Sequence, residues 1–247
     1  TDCIGPEVEK SAETLNNGDV LLLENVRFHP EEEGNDASFA QALAQLGDIY
    51  VNEAFATSHR DHASVVGIPK IIPGCIGLRF EKEIENLSRI VKSSQKPVIA
   101  IISGLKKGKV EYAKALAKKI DKVLVGGRLP EYFENDISVG EYRNGEKLIL
   151  ANLIYDKEDI TLHSIERFKR EIEKAGTIIL AGVLGKYEEE GHRQGTKEIF
   201  EAVANSRAYK VVGGGESLVD ILHSPAVKLI DWVSVGGGAM LEYIVNE

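Results

Sequence analysis

Short apolar runs alternate with amphipathic stretches along almost the whole chain. Residues 20–23 (VLLL) and 97–102 (PVIAII) are apolar throughout, which is typical of strands buried on both faces of a parallel sheet. Residues 78–91 instead place apolar side chains three or four positions apart, with charged residues between them. That spacing predicts an amphipathic helix. Because the two patterns alternate, the sequence predicts an α/β fold with doubly wound parallel sheets.

The same patterns give bounds for the individual elements. We expect helices at residues 6–15, 37–46, 78–91, 110–120, 165–175 and 196–204. We expect strands at residues 20–23, 48–51, 97–102, 123–125, 148–151, 177–180, 209–212 and 232–235. Asp36 and Thr196 stand where two of these helices should have their N-caps. Residues 31–35 (EEEGN) are interpreted as an acidic turn that faces solvent.

The polar stretch at residues 92–96 is the best candidate for a domain boundary. Two strand–loop–helix units precede it, and a second α/β series follows it. We therefore expect a first domain at residues 1–77, a joining helix and linker at residues 78–96, and a second domain at residues 97–247.

Two of the predicted strands run directly into glycine triplets, at residues 213–215 and 236–238. Glycine lets the chain turn sharply and lets an anion approach the main chain closely. The amides that open the following helix then face that anion, helped by the helix dipole. A single triplet is explained equally well by a tight connection without a ligand. The pair predicts a phosphate-binding crevice at two neighbouring strand ends.

Three other segments carry candidate ligand-binding side chains. The strand at 97–102 continues into a loop with Gly104, Lys106, Lys107 and Lys109, which is either a phosphate-handling loop or a solvated basic turn. The loop is not a Walker A sequence, because its glycine spacing and its final residues differ.

Arg27 follows the strand at residues 20–23 and is as well suited to a structural ion pair as to a ligand. Residues 52–64 include His59, Arg60 and His62, and these side chains suit an oxyanion or a carboxylate. The spacing of the two histidines also fits a metal site, but no third ligand follows at a fixed distance.

Composition narrows the possible classes of partner. The net charge is -9, from 30 basic and 39 acidic residues, which argues against broad binding to nucleic acids or anionic membranes. The chain has two cysteines, Cys3 and Cys75, which are too few for a disulfide framework and fit a reducing compartment. We expect each of them to be buried. We expect neither a membrane span nor a signal peptide. The residues alone thus predict a protein with a nucleotide-sized phosphate crevice in its second half, without giving its reaction.

Taken together, these segments resemble the phosphoglycerate kinase family over essentially the whole chain. Residues 22–29 with 31–35 resemble its LLEN-x-RFH-x-EEEGN motif, and residues 50–64 resemble its YVNDAFGTAHRAHAS motif. Residues 195–196, 213–217 and 234–242 are similar to its GT, GGGD-S/T and STGGGA-LE motifs.

The resemblance implies a glycolytic reaction: reversible phosphoryl transfer between magnesium-bound ATP and the carboxylate of 3-phosphoglycerate. It implies two Rossmann-like domains joined by a helix, with the acid substrate on the first and the nucleotide on the second. It also implies a monomer in the cytoplasm, with small-molecule substrates and no nucleic-acid or membrane partner.

Site residues are implied in the same way. The acid substrate is assigned to Arg27, His59 and Arg60, and the catalytic cations are Arg27, Lys106 and Lys109. Glu216 falls where the family has a metal-bridging aspartate, so it is the implied magnesium ligand. The implied nucleotide-binding residues are Gly104, Lys106, Lys109, Glu188, Gly213, Gly214, Gly215, Glu216, Ser217, Gly236, Gly237 and Gly238.

The sequence departs from the family pattern mainly in its nucleotide loops. The lysine loop is one residue shorter, and residues 180–188 read LAGVLGKYE where the family has WNGP-x-GVFE. Two hypotheses therefore stand: a divergent kinase, or a relative that binds nucleotide without turnover. The acid-binding motifs match the family pattern better than the nucleotide loops do, and this favours the kinase. A nicotinamide dehydrogenase is disfavoured because no G-x-G-x-x-G follows the first strand.

The family's first βα units and its C-terminal return segment have no counterpart in this sequence. We therefore expect the chain as given to bind nucleotide but to turn over poorly by itself. Its first half should also be the less stable part, because a sheet without those strands exposes apolar surface.

We expect Glu216 to bind magnesium, displaced or through a water, because a glutamate reaches one methylene further than an aspartate. Glu216→Gln should then weaken the dependence of ATP binding on magnesium, measured by titrating ATP with and without the ion. An unchanged dependence would contradict the assignment.

Overall fold

Parallel β-sheets organise the structure, a computed structural model that describes residues 2–133, 147–214 and 224–247. The chain forms two compact units, Thr1–Glu83 and Ile84–Glu247. A two-stranded parallel sheet belongs to the first unit and a six-stranded sheet to the second. The predicted α/β class with two parallel sheets is therefore confirmed. The functional division into residues 1–77, 78–96 and 97–247 stays a prediction.

Most helices and strands lie where they were predicted, with ends that differ by a few residues, but the helix Pro30–Glu33 and the strand Gly74–Ile76 were not predicted. The α-helices are α1 (Pro6–Glu13), α2 (Pro30–Glu33), α3 (Ala37–Ala44), α4 (Leu78–Ser93), α5 (Lys109–Lys119), α6 (Leu162–Ile172), α7 (Gln194–Asn205) and α8 (Gly237–Asn246). The strands are β1 (Tyr50–Asn52), β2 (Gly74–Ile76), β3 (Val98–Ile102), β4 (Lys122–Val125), β5 (Leu148–Leu150), β6 (Thr177–Ala181), β7 (Tyr209–Gly213) and β8 (Trp232–Ser234). None of the described helices has the length and apolar character needed to cross a membrane.

The sheet of the second unit has the strand order β5-β4-β3-β6-β7-β8. Every residue of β3 and β6 is buried, which accounts for their unbroken apolar sequences. From β3 the chain winds outward to β4 and β5, and from β6 it winds the other way to β7 and β8. This reversal creates a switch point between β3 and β6, the place where doubly wound sheets bind their ligands.

The core of the second unit joins this sheet to its helices. In α6, Ile165, Phe168 and Ile172 recur at helical spacing and are almost fully buried. They pack in one cluster with Ile99 and Ile101 of β3. One apolar stripe of the helix therefore meets one face of the sheet.

The amphipathic helix predicted at residues 78–91 is confirmed as α4. Leu87 on its apolar stripe is fully buried. Within the second unit, the Tyr209 hydroxyl donates to the backbone oxygen of Asn86 at 3.3 Å. The hydroxyls of Ser88 and Tyr243 lie 2.8 Å apart. These bonds fasten the second half of α4 to β7 and α8.

The first unit packs around a small apolar cluster that contains Cys3. Asp36 caps α3 as predicted, because its carboxylate accepts hydrogen bonds from the N–H groups of Ser38 and Phe39 at 2.9 Å each. Burial is confirmed for Cys3 and is wrong for Cys75, which lies exposed on β2.

The strand predicted at residues 20–23 is wrong. The segment forms no strand, and Val20 and Leu22 are 90% and 92% exposed. An apolar run becomes a strand only where another strand completes its hydrogen-bond ladder. In the described part of the first unit the ladder joins only β1 and β2.

Thr196 is not the N-cap that its position predicts. Helix α7 begins at Gln194, so Thr196 lies inside its first turn. The Thr196 hydroxyl accepts hydrogen bonds from the N–H groups of Leu184 at 2.9 Å and Gly185 at 3.0 Å. It therefore fastens the loop after β6 to the start of α7.

We expect Thr196→Val to lower the free energy of unfolding by about 2–4 kcal/mol, because both buried N–H groups lose their acceptor. Thr196→Ser keeps the hydroxyl and should retain most of the stability. Urea denaturation followed by circular dichroism measures both variants. A valine variant as stable as the unaltered protein would show that the loop finds other acceptors.

Candidate functional site

Glycines follow the carboxyl ends of both β3 and β6 at the switch point. Gly104 and Gly182 follow these strands with φ angles of 125° and 105°, a region that glycine adopts without strain. A Cβ on Gly182 would lie 2.4 Å from the carbonyl oxygen of Ser103 and 2.7 Å from Lys109 Nζ. Only glycine allows this approach.

Lys109 reaches into this junction from the first residue of α5. Its Nζ donates to the backbone oxygens of Ser103 at 2.6 Å and Ala181 at 3.2 Å. Burial, together with the charge of Lys106, lowers the pKa of Lys109 to about 8. The structure thus places this predicted nucleotide-binding lysine at the switch point, with its ammonium group bonded to the main chain.

Lys106 lies in the exposed loop between β3 and α5. Within the described residues its ammonium group makes no ion pair or hydrogen bond. Its charge nonetheless acts on Lys109, so the two ammonium groups are close enough to repel. Lys106 is therefore an uncompensated cation beside a strand end, available to an anionic ligand.

Gly213 and Gly214 of the first triplet meet Gly237 of the second at the ends of β7 and β8, which are neighbours as predicted. A Cβ on Gly237 would lie 3.2 Å from Gly214 Cα and 3.4 Å from the carbonyl carbon of Gly213. Main chain therefore packs on main chain here. Helix α8 begins at Gly237 after Gly236, with no side-chain cap. The free N–H groups of its first turn, which includes Gly238, suit an anion.

Gly215, Glu216 and Ser217 lie outside the described residues. Their roles in binding nucleotide, and that of Glu216 in binding magnesium, stay predictions.

Glu188 is exposed in the loop between β6 and α7. Asp159 holds the end of this loop, since its carboxylate accepts a hydrogen bond at 3.0 Å from the N–H of Gly195 in the first turn of α7, across 36 residues of sequence. A Cβ on Gly185 would lie 2.6 Å from Asp159 Cγ. Burial raises the pKa of Asp159. Sequence reasoning missed this positioning role, because only the fold brings the two segments together.

In the first unit, Arg27 stands at the centre of a charged cluster. Its Nη1 lies 3.0 Å from Glu33 Oε1 and 3.5 Å from His62 Nε2. Its Nε lies 3.9 Å from Glu32 Oε1. The sequence left open whether Arg27 serves an ion pair or a ligand, and the structure shows the ion pair. The contact with His62 was not predicted.

Glu32 is the buried member of this cluster. Its side chain is fully buried and accepts hydrogen bonds from the Ser64 N–H at 2.8 Å and the Ser64 hydroxyl at 2.6 Å. The solvated turn predicted at residues 31–35 is therefore wrong, since Pro30–Glu33 is a short helix with one side chain inside. Glu32 thereby anchors the segment that carries His59 and Arg60.

His59 and Arg60 are both exposed. In the described part of the chain the Arg60 guanidinium makes no ion pair or hydrogen bond. His62 keeps a buried Nδ1 without a hydrogen-bond partner among those residues. Of the two predicted acid-binding arginines, Arg60 is thus uncompensated and Arg27 is already paired.

The metal alternative for His59 and His62 finds no support among the described residues. The one group of three possible metal ligands found there is Asp2, Cys3 and His29. In that group burial raises the pKa of the Cys3 thiol to about 11, and His29 Nε2 already lies 2.6 Å from Asp2 Oδ1.

Comparisons with known proteins identify the family. The family model for phosphoglycerate kinase matches residues 1–158 and 151–247. A phosphoglycerate kinase of Dictyoglomus turgidum is 36% identical to the chain, across 98% of the chain and 73% of the relative. The chain belongs to the phosphoglycerate kinase family. A phosphoglycerate kinase of Gloeobacter violaceus is 35% identical with the same coverage.

Solved phosphoglycerate kinase structures agree with this assignment. The structure from Pyrococcus horikoshii superposes with a TM-score of 0.82 at 27% identity, covering 100% of this chain and 75% of that one. The structure from Coxiella burnetii has a TM-score of 0.75 at 29% identity, covering 95% and 72%. The resemblance drawn from the motifs is confirmed. The phosphoglycerate kinase relatives also favour the kinase over the non-catalytic alternative.

Lys109 should make the stability of the protein depend on pH. Its pKa is about 8 in the folded protein, against 10.5 for a free lysine. Between these pH values the unfolded chain holds a proton that the folded protein has lost, so the free energy of unfolding should rise with pH. Lys109→Met should remove this rise, whereas Lys107→Met should keep it. Urea denaturation across the window tests this, and equal slopes for both variants would contradict it.

Proposed function

We propose that the chain catalyses reversible phosphoryl transfer between ATP and the carboxylate of 3-phosphoglycerate, with ADP and 1,3-bisphosphoglycerate as the other pair. Membership of the phosphoglycerate kinase family supports the reaction. The observation that carries it is the contact between the two glycine junctions at the ends of β7 and β8, beside the uncapped start of α8. Nucleotide phosphates need such a place, where amides are free and no side chain intervenes.

The nucleotide would lie along the carboxyl edge of the six-stranded sheet. Its phosphates would approach the main chain at the glycine junctions, and the exposed Glu188 would accept a hydrogen bond from the ribose. The residues proposed for this contact are Gly104, Lys106, Lys109, Glu188, Gly213, Gly214, Gly215, Glu216, Ser217, Gly236, Gly237 and Gly238.

Lys106 would contact the phosphoryl group that is transferred. Phosphoryl transfer depends on positioning and on charge neutralisation more than on covalent chemistry. An ammonium group without a competing carboxylate, as Lys106 has among the described residues, can stabilise the charge that develops in the transition state. Lys109 would contribute its charge from the switch point while it holds the strand ends together.

Arg60 would be the main anchor of the acid substrate. Its planar guanidinium can bind a carboxylate or phosphate through two parallel hydrogen bonds. His59, the next residue, would donate a further hydrogen bond. Arg27 would join them by exchanging its exposed partner Glu33 for the substrate, while the buried Glu32 stays in place.

Magnesium would arrive with ATP and neutralise charge on its phosphates. At the carboxyl edge of the six-stranded sheet, the described residues contain no group of three possible metal ligands. We propose an ion held mainly by the nucleotide, with Glu216 as its protein ligand, which is a common arrangement for magnesium.

We also infer a monomer that works in the cytoplasm on small molecules, without nucleic-acid or membrane partners. The net charge of -9 supports the exclusion of polyanionic partners. The unpaired thiols of Cys3 and Cys75 support a reducing compartment.

Lys106→Ala should lower kcat by ~10²-fold or more and leave the KM for ATP nearly unchanged, if Lys106 acts only in the transition state. A coupled kinase assay measures both constants. Lys107→Ala is the matched control, because it removes a neighbouring lysine of the same exposed loop, and it should keep kcat. Equal losses in the two variants would assign the effect to the general charge of the loop.

A further inference from the structure

A second candidate site lies at the opposite edge of the six-stranded sheet. A groove of about 450 Å³ opens there, beside Thr177 and Tyr209, the first residues of β6 and β7. The proposed nucleotide site is at the other end of the same strands, roughly 15 Å away for a strand of this length. The groove is therefore separate from the site described above.

Two arginines line this groove, and among the described residues no carboxylate forms an ion pair with either of them. Arg89 comes from the last turns of α4, and Arg207 follows the end of α7. Among the described residues neither guanidinium forms an ion pair with a carboxylate. Arg89 instead lies over the ring of Tyr209, with Cζ 5.2 Å from the ring centroid. In a chain with an excess of acidic residues, two unpaired arginines in one groove indicate an anionic ligand.

Thr177 gives a second, independent indication that the groove binds a ligand. The residue is 1% exposed, and its hydroxyl has no hydrogen-bond partner among the described residues, although it lines the groove. Buried hydroxyls almost always have a partner, and an orphan indicates a missing water, ion or ligand. Asp231, on the same groove, accepts from the Lys210 N–H at 2.8 Å and lies 3.8 Å from Lys210 Nζ. Its ion pair is therefore with Lys210 and not with either arginine.

The two arginines have a simpler structural explanation that a test must separate. Arg89 and Arg207 lie near the carboxyl ends of α4 and α7, where a positive charge offsets the helix dipole. That role accounts for their charge but not for the orphan hydroxyl of Thr177, nor for a groove that holds both arginines.

We propose that this groove binds the phosphate group of a small phosphorylated molecule. Arg89 and Arg207 supply the positive charge, and Thr177 donates a hydrogen bond to the phosphate. Arginine forks and hydroxyl donors are the groups that recognise phosphate oxygens. The groove volume of about 450 Å³ leaves room for further atoms of the ligand beside its phosphate group.

Trp232 provides a local signal for the test. It is the only tryptophan of the chain and follows Asp231 directly. Inorganic phosphate is titrated at constant ionic strength, and the emission of Trp232 is recorded. We expect a saturable change. The double variant Arg89→Gln/Arg207→Gln should weaken phosphate binding by about 100-fold, tenfold for each lost charge-assisted contact.

Two further variants keep the result interpretable. Arg167→Gln/Arg170→Gln removes the same charge from exposed positions on α6 that do not line the groove, and it should bind phosphate as the unaltered protein does. Thr177→Val should weaken binding while it raises the melting temperature without phosphate, because it removes the orphan hydroxyl. The proposal is overturned if no saturable change occurs, or if the Arg89/Arg207 variant binds as tightly as the α6 control.

Discussion

The bonds from Lys109 Nζ to the main-chain oxygens of Ser103 and Ala181 join the ends of β3 and β6. These strands are neighbours, but the chain leaves them in opposite directions. The Ala181 oxygen already accepts from the Ser103 N–H at 3.0 Å, whereas the Ser103 oxygen needs a donor from elsewhere. Lys109 supplies it from the start of α5. The neighbouring main chain leaves room for the Lys109 ammonium group, because Gly182 has no Cβ to obstruct it.

The sequence predicted correctly those elements that depend on residues close to them in the chain. Asp36 caps α3 through neighbours two and three residues away, and α4 follows from the spacing of its own apolar side chains. That β7 and β8 are neighbours followed from general rules for parallel sheets. The motifs identified the family from the same local stretches.

The errors concern groups whose partners lie far away in the sequence. Thr196 resembles an N-cap, yet its hydroxyl serves the loop at Leu184. Glu32 is buried because Ser64, 32 residues later, satisfies its carboxylate. The bond from Lys109 Nζ to the Ala181 oxygen, which was not predicted, spans 72 residues. Residues 20–23 have the composition of a strand but no described ladder partner. Such partners are set by the fold, and no single stretch of sequence contains them.

The lowered pKa of Lys109 has a consequence for measurements of binding. Near pH 8, a fraction of the molecules carries this lysine without its proton. A phosphate group that arrives at the carboxyl edge would favour the charged form, so the complex would take up a proton from the buffer. The heat of nucleotide binding would then include the ionisation heat of that buffer. Comparing buffers would reveal, without any label, how closely the phosphates approach the ammonium group.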